Sequence, residues 1–177
     1  MYDLAAPAAP EDRIYAAYED IGLWRSNNGG GSWKQLFWYI DGSPGFSDGC
    51  SGIHVNPADG NELYGVASSW SEGLREDDSG SALLHSTDGG LSWVDLTRAI
   101  AGGGGRGTAA VDFSRPESSR LILFAQHGGT LHRNTWNRLP LSLPHTGIYS
   151  LSIPPWGASR ILIGTRGGGI TTSRIPD

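Results

Sequence analysis

The sequence predicts an all-β fold, a β-propeller of four-stranded antiparallel blades. Two observations support this fold class. The eight residues at 26–33 read SNNGGGSW and return at 86–93 as STDGGLSW, so the chain contains internal repeats. Short apolar runs separated by Gly, Pro, Asn and Asp recur throughout, which is typical of strands joined by turns. No segment has a sustained period of 3.6 residues, so no long helix is predicted.

The first two repeat units are the most complete. Each offers apolar runs of strand length, rich in Ile, Leu, Val, Tyr and Trp. These runs lie at residues 13–17, 22–26, 33–36, 53–57, 62–66, 82–86 and 93–96. In both units the repeated eight-residue segment falls between the last two runs. Four-stranded units that repeat in this way suit the blades of a propeller.

The third and fourth units are less complete. The third keeps three runs but reduces the repeated segment to a short turn before Trp136, and the fourth has no final run that begins with Trp. The predicted blades cover residues 1–40, 50–98, 107–141 and 147–177. About four blades therefore predict an incomplete ring, which is completed by self-association or by further blades of a longer chain. Residues 1–6 are expected either to supply a missing strand by closure or to form the first strand of blade one.

The two eight-residue segments resemble the repeats of the Asp-box (BNR) family. This family includes sialidases, xyloglucanase-like glycoside hydrolases, the sortilin ectodomain and a photosystem assembly factor. The resemblance covers nearly the whole chain, and the segment at 86–93 matches the motif in full. It implies a β-propeller in which each Asp-box forms the turn between the third and fourth strands of a blade.

The residues of the two segments are predicted to serve the fold. Asp88 can accept hydrogen bonds from the backbone of its own turn, and Gly90 can adopt positive φ at low cost. Trp93 can bury a large apolar area over the hairpin. Asn28 keeps the acceptor without the charge, which suits a structural role better than a catalytic one. The structural set comprises Ser26, Asn28, Gly30, Ser32, Trp33, Ser86, Asp88, Gly90, Ser92 and Trp93.

Composition excludes several function classes. The formal net charge of -5, with a pI near 5.4, argues against nucleic-acid binding, which needs a basic face. Cys50 is the only cysteine, so no intrachain disulfide can form. No apolar run approaches the length of a membrane span, and the N-terminus lacks the pattern of a signal peptide. The five histidines have no metal-ligand spacing, and neither a metal nor a cofactor is predicted.

Loop lengths predict where a ligand would bind. In a propeller blade the loop between strands two and three, and the connection to the next blade, lie on the face opposite the boxes. The long segments at 41–52, 68–81 and 97–108 all belong to that face, and loops on a rigid scaffold commonly carry binding residues. Glycoside hydrolysis needs two carboxylates about 5 to 10 Å apart. The catalytic candidates are Asp41, Asp48, Glu72 and Asp78, and the ligand-binding candidates are Trp38, Tyr39, Trp70, Arg75 and Arg106.

Weaker signals have structural interpretations that we favour. The acidic run at 76–78 suits a solvated loop better than a calcium site, because its spacing matches no known calcium loop. The four glycines at 102–105 lack the helix and the Lys of a phosphate loop, so they indicate a connector. Arg174-Ile175-Pro176 is similar to the Arg-Ile-Pro motif of sialidases, but it stands in the last unit, where that motif does not belong.

The leading functional hypothesis is a propeller segment that serves as a scaffold or recognition surface for a carbohydrate or a protein. It rests on intact structural motifs beside an unassigned catalytic set. One alternative is part of a glycoside hydrolase, sialidase-like or xyloglucanase-like, with its carboxylates on the long loops. Another is an assembly factor for a larger complex.

Overall fold

The structure is a computed structural model of the 177-residue chain. It describes residues 3–44, 49–68, 81–98, 107–126, 130–133, 136–139, 147–154, 160–165 and 168–175. These residues form short β-strands and turns, with a single turn of 3₁₀ helix at Glu117–Ser119. Within this described part, no helix has the length and apolar character needed to cross a membrane.

The strands form four sheets and one small hairpin. The first sheet contains β1 (Asp3–Ala5), β2 (Ile14–Tyr18), β3 (Gly22–Ser26) and β4 (Lys34–Leu36). The hairpin that follows contains β5 (Tyr39–Ile40) and β6 (Ser43–Pro44). The second sheet contains β7 (Gly49–Asn56), β8 (Asp59–Ser68), β9 (Ala82–Ser86) and β10 (Val94–Asp95). The third contains β11 (Gly107–Val111), β12 (Ile122–Gln126), β13 (Thr130–Arg133) and β14 (Asn137–Arg138). The fourth contains β15 (Ile148–Ser152), β16 (Arg160–Thr165) and β17 (Gly169–Arg174).

The four sheets are arranged as propeller blades, here numbered blades 1 to 4. In each of them the strands follow chain order, and every strand is antiparallel to its neighbour. The first strands β1, β7, β11 and β15 contact one another in succession, so they line the inside of the arc. This arrangement confirms the predicted fold class, and no ring closure is found among the described residues.

The N-terminal residues decide between the two expectations for them. Asp3, Leu4 and Ala5 pair with Ala17, Ala16 and Tyr15 of β2. The segment is therefore the first strand of blade 1, and within the described residues it does not pair with blade 4. Blade 4 has three strands in the part of the chain that the structure describes.

Each blade has two faces, because side chains alternate along a strand. We call the face toward the preceding blade the backward face and the face toward the following blade the forward face. In β2, Tyr15 and Ala17 lie on the forward face and pack against blade 2, whereas Ala16 lies on the backward face. The same alternation in β12 directs Leu123 toward blade 4 and Phe124 toward blade 2.

The hydrophobic core is divided into three seams, one between each pair of successive blades. The seam between blades 1 and 2 contains Tyr15, Ala17, Leu23, Leu36, Trp38, Cys50, Ile53, Val55, Leu63, Ala67, Ala82, Leu84 and Trp93. The seam between blades 2 and 3 contains Tyr64, Val66, Leu83, Ala109 and Phe124. The seam between blades 3 and 4 contains Ala110, Leu121, Leu123, Ala125, Leu139, Ile148, Leu151, Ile161, Ile163 and Ile175. The tertiary fold is thus stabilised between blades, as expected of stacked repeats.

Candidate functional site

The turn at 86–93 is a closed hydrogen-bonded loop between β9 and β10. The carboxylate of Asp88 accepts hydrogen bonds from the backbone amides of Leu91 and Ser92, at 2.9 and 3.0 Å. It also accepts from the hydroxyls of Ser86 and Ser92, at 2.8 and 2.6 Å. Partial burial opposes ionisation of this carboxyl, but the bonds from Ser92, Ser86 and Leu91 outweigh it and hold the pKa of Asp88 below its usual value. The charge of Asp88 is therefore used to order its own turn.

The turn at 26–33, between β3 and β4, has the same construction without the charge. The side-chain oxygen of Asn28 accepts from the amide of Ser32 at 2.8 Å, and the Ser26 hydroxyl accepts from the amide of Gly30 at 2.9 Å. Trp33 donates its indole N–H to the carbonyl of Gly30 at 3.1 Å, just as Trp93 donates to Gly90 at 3.2 Å. Both turns lie between the third and fourth strands of their blades, as the resemblance implies.

The turn of blade 2 is also fixed to blade 1. The guanidinium of Arg25 donates to the carbonyl of Gly89 at 2.8 Å, and Gly89 has φ of 75°, which glycine adopts at low cost. Arg13 donates to the side-chain oxygen of Asn61 at 2.6 Å, and the Tyr15 hydroxyl donates to the carbonyl of Gly60 at 2.9 Å. The repeated turn of blade 2 and the start of β8 are therefore both hydrogen-bonded to blade 1.

Most of the residues proposed for catalysis and ligand binding lie outside the described residues. These are Asp48, Trp70, Glu72, Arg75, Asp78 and Arg106. The described candidates are Trp38, Tyr39 and Asp41, all on the connection between blades 1 and 2. The structure places these three around the hairpin of β5 and β6, which runs beside Trp93 at the outer edge of blade 2.

Trp38 lies in the core and not on a ligand-binding surface. Its ring packs edge-on against Trp93 with ring centroids 4.9 Å apart, and its side chain is buried. Gly65 makes room for this pair, because a Cβ at that position would lie 3.0 Å from the Trp38 ring and 3.3 Å from Trp93. Stacking on a sugar needs an accessible ring face, so the burial of Trp38 argues against the proposed binding role. The sequence could not indicate this contact, since the two indoles come from different blades.

Asp41 has a structural use in the hairpin turn. It has φ of 50° and is followed by Gly42 at φ of 80°, the conformation that favours Asp-Gly in tight hairpins. Its carboxylate lies 2.9 Å from the guanidinium of Arg98, and both side chains are well exposed. An exposed ion pair of this kind contributes little to stability, about 0–1 kcal/mol. Tyr39, in contrast, has an exposed side chain that a ligand can reach.

A cluster of polar side chains in the seam between blades 2 and 3 was missed by sequence reasoning. Glu62, in β8, accepts a hydrogen bond from Arg120, which lies two residues before blade 3's second strand. Asn56 donates to the other oxygen of Glu62 at 2.5 Å, and the Arg120 guanidinium lies 5.0 Å from the centre of the Phe113 ring. Glu62 and Arg120 are both buried, so each needs the other to offset the loss of hydration.

His85 and Tyr64 complete this cluster. Their rings stack with centroids 4.4 Å apart, and His85 Nε2 lies 3.6 Å from Glu62 Oε1. Burial lowers the pKa of His85, against the opposing charge of Glu117. Burial raises the pKa of Tyr64 to about 12, and Glu117 adds to that shift. The sequence carries no local signal for this cluster, because Glu62 and Arg120 are 58 residues apart.

Ligand atoms of Glu62, His85 and Glu117 lie within 4.8 Å of one another, a separation that a metal ion can bridge. Oε1 of Glu62, the oxygen that lies 3.6 Å from His85 Nε2, already accepts from the guanidinium of Arg120. The positively charged guanidinium of Arg120 therefore already lies where a metal ion would bind Glu62. The arrangement supports a structural contact between blades better than a metal centre.

Comparison with known proteins supports the β-propeller fold. No protein-family model matches the chain. A xyloglucanase from Paenibacillus sp is 27% identical over 148 residues, which are 78% of this chain and 14% of that protein. The crystal structure of the GH74 enzyme from Niastella koreensis matches with a TM-score of 0.68 and 17% identity, over 97% of this chain and 27% of that one. YCF48 from Cyanidioschyzon merolae matches with a TM-score of 0.50 and 13% identity, over 99% and 56%.

These similarities agree with the fold of the chain. The structural neighbours are β-propellers, and the chain is similar to the propeller of glycoside hydrolases of the xyloglucanase type. The chain spans less than a third of the length of the xyloglucanase and of the GH74 enzyme that it matches.

Proposed function

We propose that the chain is a segment of a polysaccharide-recognising β-propeller of the xyloglucanase-like kind, with Asp-box turns that fasten its blades. The observation that carries this proposal is the 27% identity to a xyloglucanase over 148 residues, more than three quarters of the chain. The role of the segment is to hold recognition loops on a rigid frame, and its ligand is a glucan chain.

The partners of the described polar side chains support a recognition role for the segment. Asp88 and Asn28 use their side chains within their own turns, Asp41 pairs with Arg98, and Glu62 pairs with Arg120. In the described part of the chain, the side chains at these positions therefore have structural partners. Ligand contacts are expected from the exposed ring of Tyr39 and from the loops at 68–81 and 97–108, with Trp70, Arg75 and Arg106.

Binding of soluble xyloglucan to the 177-residue chain tests the proposal. We expect Tyr39→Ala and Trp70→Ala each to weaken binding about tenfold, since stacked aromatic rings contribute on the order of 1 kcal/mol or more. Tyr149→Ala is the matched control, because Tyr149 is 46% exposed against 48% for Tyr39 but lies in blade 4. Isothermal titration calorimetry gives the affinities. Absence of binding to xyloglucan and to other β-glucans would contradict the proposal.

The hydrolase alternative has a separate test. Release of reducing ends from xyloglucan, lost in Asp48→Asn, Glu72→Gln or Asp78→Asn, would assign catalysis to the long loops. We expect Asp41→Asn to leave any such turnover unchanged, because Asp41 forms the hairpin turn and pairs with Arg98. The protein-scaffold and assembly-factor hypotheses gain support only from a chain that binds no glycan.

A further inference from the structure

The two ends of the arc present uncovered faces of opposite kinds. Inside the arc, the forward face of each blade is covered by the backward face of the next one. Blade 1 leaves its backward face uncovered by any described residue, and blade 4 likewise leaves its forward face uncovered. The uncovered face of blade 1 is therefore of the kind that packs against a forward face elsewhere in the molecule. The uncovered face of blade 4 is of the kind that packs against a backward face.

Exposed apolar side chains mark the backward face of blade 1. Leu4 lies on this face beside Ala16 and Trp24, and 53% of its surface is exposed. Trp33 gives the clearest comparison. It makes the same hydrogen bond as Trp93, yet Trp33 is 40% exposed and Trp93 is 2% exposed. Trp93 is covered by Leu36 and Trp38, which come from blade 1 and its connection, whereas no other blade among the described residues covers Trp33.

Blade 4 carries the complementary feature on its forward face. Ile170 is 79% exposed and is paired with Gly164 on β16. Leu162 lies on the same face, at the position equivalent to Tyr64 of blade 2, which packs against blade 3.

Strand register identifies a polar pair that the two ends would form. Gly22 pairs with Tyr18, Gly169 pairs with Thr165, and both glycines have φ of 75°. Counting back five residues from Tyr18 and from Thr165 makes Arg160 the equivalent of Arg13.

The same comparison applies to the opposite side of a seam. Ser26 pairs with Ile14 and Ser86 pairs with Leu63, so two residues further back Asp12 is the equivalent of Asn61. Arg13 and Asn61 are in contact across the first seam, with Arg13 Nη1 2.6 Å from Asn61 Oδ1.

The second seam repeats this contact. Arg133 pairs with Asn137, the residue after Trp136, as His85 pairs with Val94, the residue after Trp93. Leu123 pairs with Arg133 and Tyr64 pairs with His85, so Leu123 is the equivalent of Tyr64. By this register Glu62 is the equivalent of Arg13, and Arg120 is the equivalent of Asn61. Glu62 and Arg120 form the buried ion pair between blades 2 and 3. The two positions thus meet in both seams where they are described.

We propose that blade 4 of one copy of this chain packs against blade 1 of a second copy, head to tail. The junction buries Leu4 and Trp33 of one copy against Ile170 of the other, and it pairs Arg160 with Asp12 as Arg13 pairs with Asn61. The occupant is a second copy because each end supplies the surface that the other end lacks, so the junction continues the seams already present. A contact between two different faces is heterologous, and two or more copies joined by such contacts can close into a ring.

Mass measurement by light scattering after size exclusion tests the junction on the 177-residue chain. We expect a mass of at least twice the 18.8 kDa of one chain. Leu4→Glu and Ile170→Glu are each expected to give a monomer of unchanged circular dichroism, because both side chains are exposed in one chain. Leu91→Glu is the matched control, since Leu91 is 52% exposed in the turn of blade 2.

The charge pair makes the test specific for a head-to-tail contact. Asp12→Arg and Arg160→Glu should each weaken self-association about tenfold or more, and the double variant should restore most of it. Asp20→Arg, an exposed carboxylate elsewhere in blade 1, should have no effect. A wild-type chain that stays monomeric at high concentration would overturn the proposal. Self-association that is weakened by variants at only one of the two ends would also overturn the proposal, because two identical faces would then be in contact.

Discussion

At the scale of single residues, the repeated turns show how one side chain can order eight residues. Asp88 satisfies two backbone amides and two hydroxyls that the tight turn cannot pair otherwise. The neutral side-chain oxygen of Asn28 accepts the corresponding hydrogen bond from the backbone amide of Ser32. Gly30 and Gly90, at φ of 92° and 87°, provide the left-handed backbone that the turn needs. The chemistry of the turn is therefore local, and it requires no ligand.

Replacement of Asp88 tests this account. Asp88→Ala should lower the free energy of unfolding by about 2 kcal/mol at pH 7, because several donors lose their acceptor. Asp88→Asn should cost less, since Asn28 shows that an amide oxygen can serve. Urea unfolding monitored by tryptophan fluorescence gives both values.

The pH dependence separates charge from geometry. The pKa of Asp88 is lower in the folded chain than in the unfolded chain, so its contribution is fully present above about pH 4 and is lost as the pH falls through the folded value. Asp88→Asn should therefore flatten the loss of stability between pH 5 and pH 3, by reference to the wild-type chain. Parallel pH profiles for the two proteins would contradict the assignment.

At the scale of elements, the seams between blades decide which polar side chains are buried. Glu62 lies in the second strand of blade 2 and Arg120 just before the second strand of blade 3, and both are desolvated because those blades pack together. Each charge is stabilised by the other, by Asn56 on Glu62 and by Phe113 beneath Arg120. The pair therefore specifies how blade 3 is placed against blade 2.

A double-mutant cycle measures this coupling. Glu62→Gln and Arg120→Met should each destabilise the chain by about 3 kcal/mol, because each leaves an uncompensated buried charge or polar group. The double variant should cost less than the sum of the two, with a coupling of about 1 kcal/mol or more. Chemical unfolding of the four proteins gives the cycle. Additive losses would show that the two side chains act independently.

At the scale of the whole molecule, the chain is a one-dimensional array of blades. Each blade contacts its sequence neighbours, and each seam has its own core. In such arrays, stability is a sum of blade and interface terms, so one weak seam lets part of the molecule open alone. The uncovered faces at the two ends are the sites where the array can be extended.

Two adjacent residues of β12 allow the seams to be weakened one at a time. Phe124→Ala should loosen the contact between blades 2 and 3, and Leu123→Ala the contact between blades 3 and 4. Each should cost about 3–4 kcal/mol, as large-to-small changes in a core do. Hydrogen exchange should then rise in blades 3 and 4 for Phe124→Ala, but chiefly in blade 4 for Leu123→Ala. The same exchange pattern for both variants would contradict independent seams.

The strands and their order were predictable because their signals are local. The repeated turn at 86–93, the alternation in β2 and the Asp-Gly pair in the hairpin each act within a few residues, so the sequence displays them directly. The expected fold class is confirmed, and the two turns lie where the resemblance places them.

Contacts between blades were not predictable, because they join residues far apart in the chain. Trp38 resembles an accessible aromatic residue in the sequence, yet it packs on Trp93 across a seam. Nothing near Glu62 in the sequence indicates Arg120 as its partner. The sequence alone determined the repeating unit, since a turn is stabilised by its own residues. The tertiary structure decided which faces are covered and which charges are paired, because burial depends on the neighbouring blade.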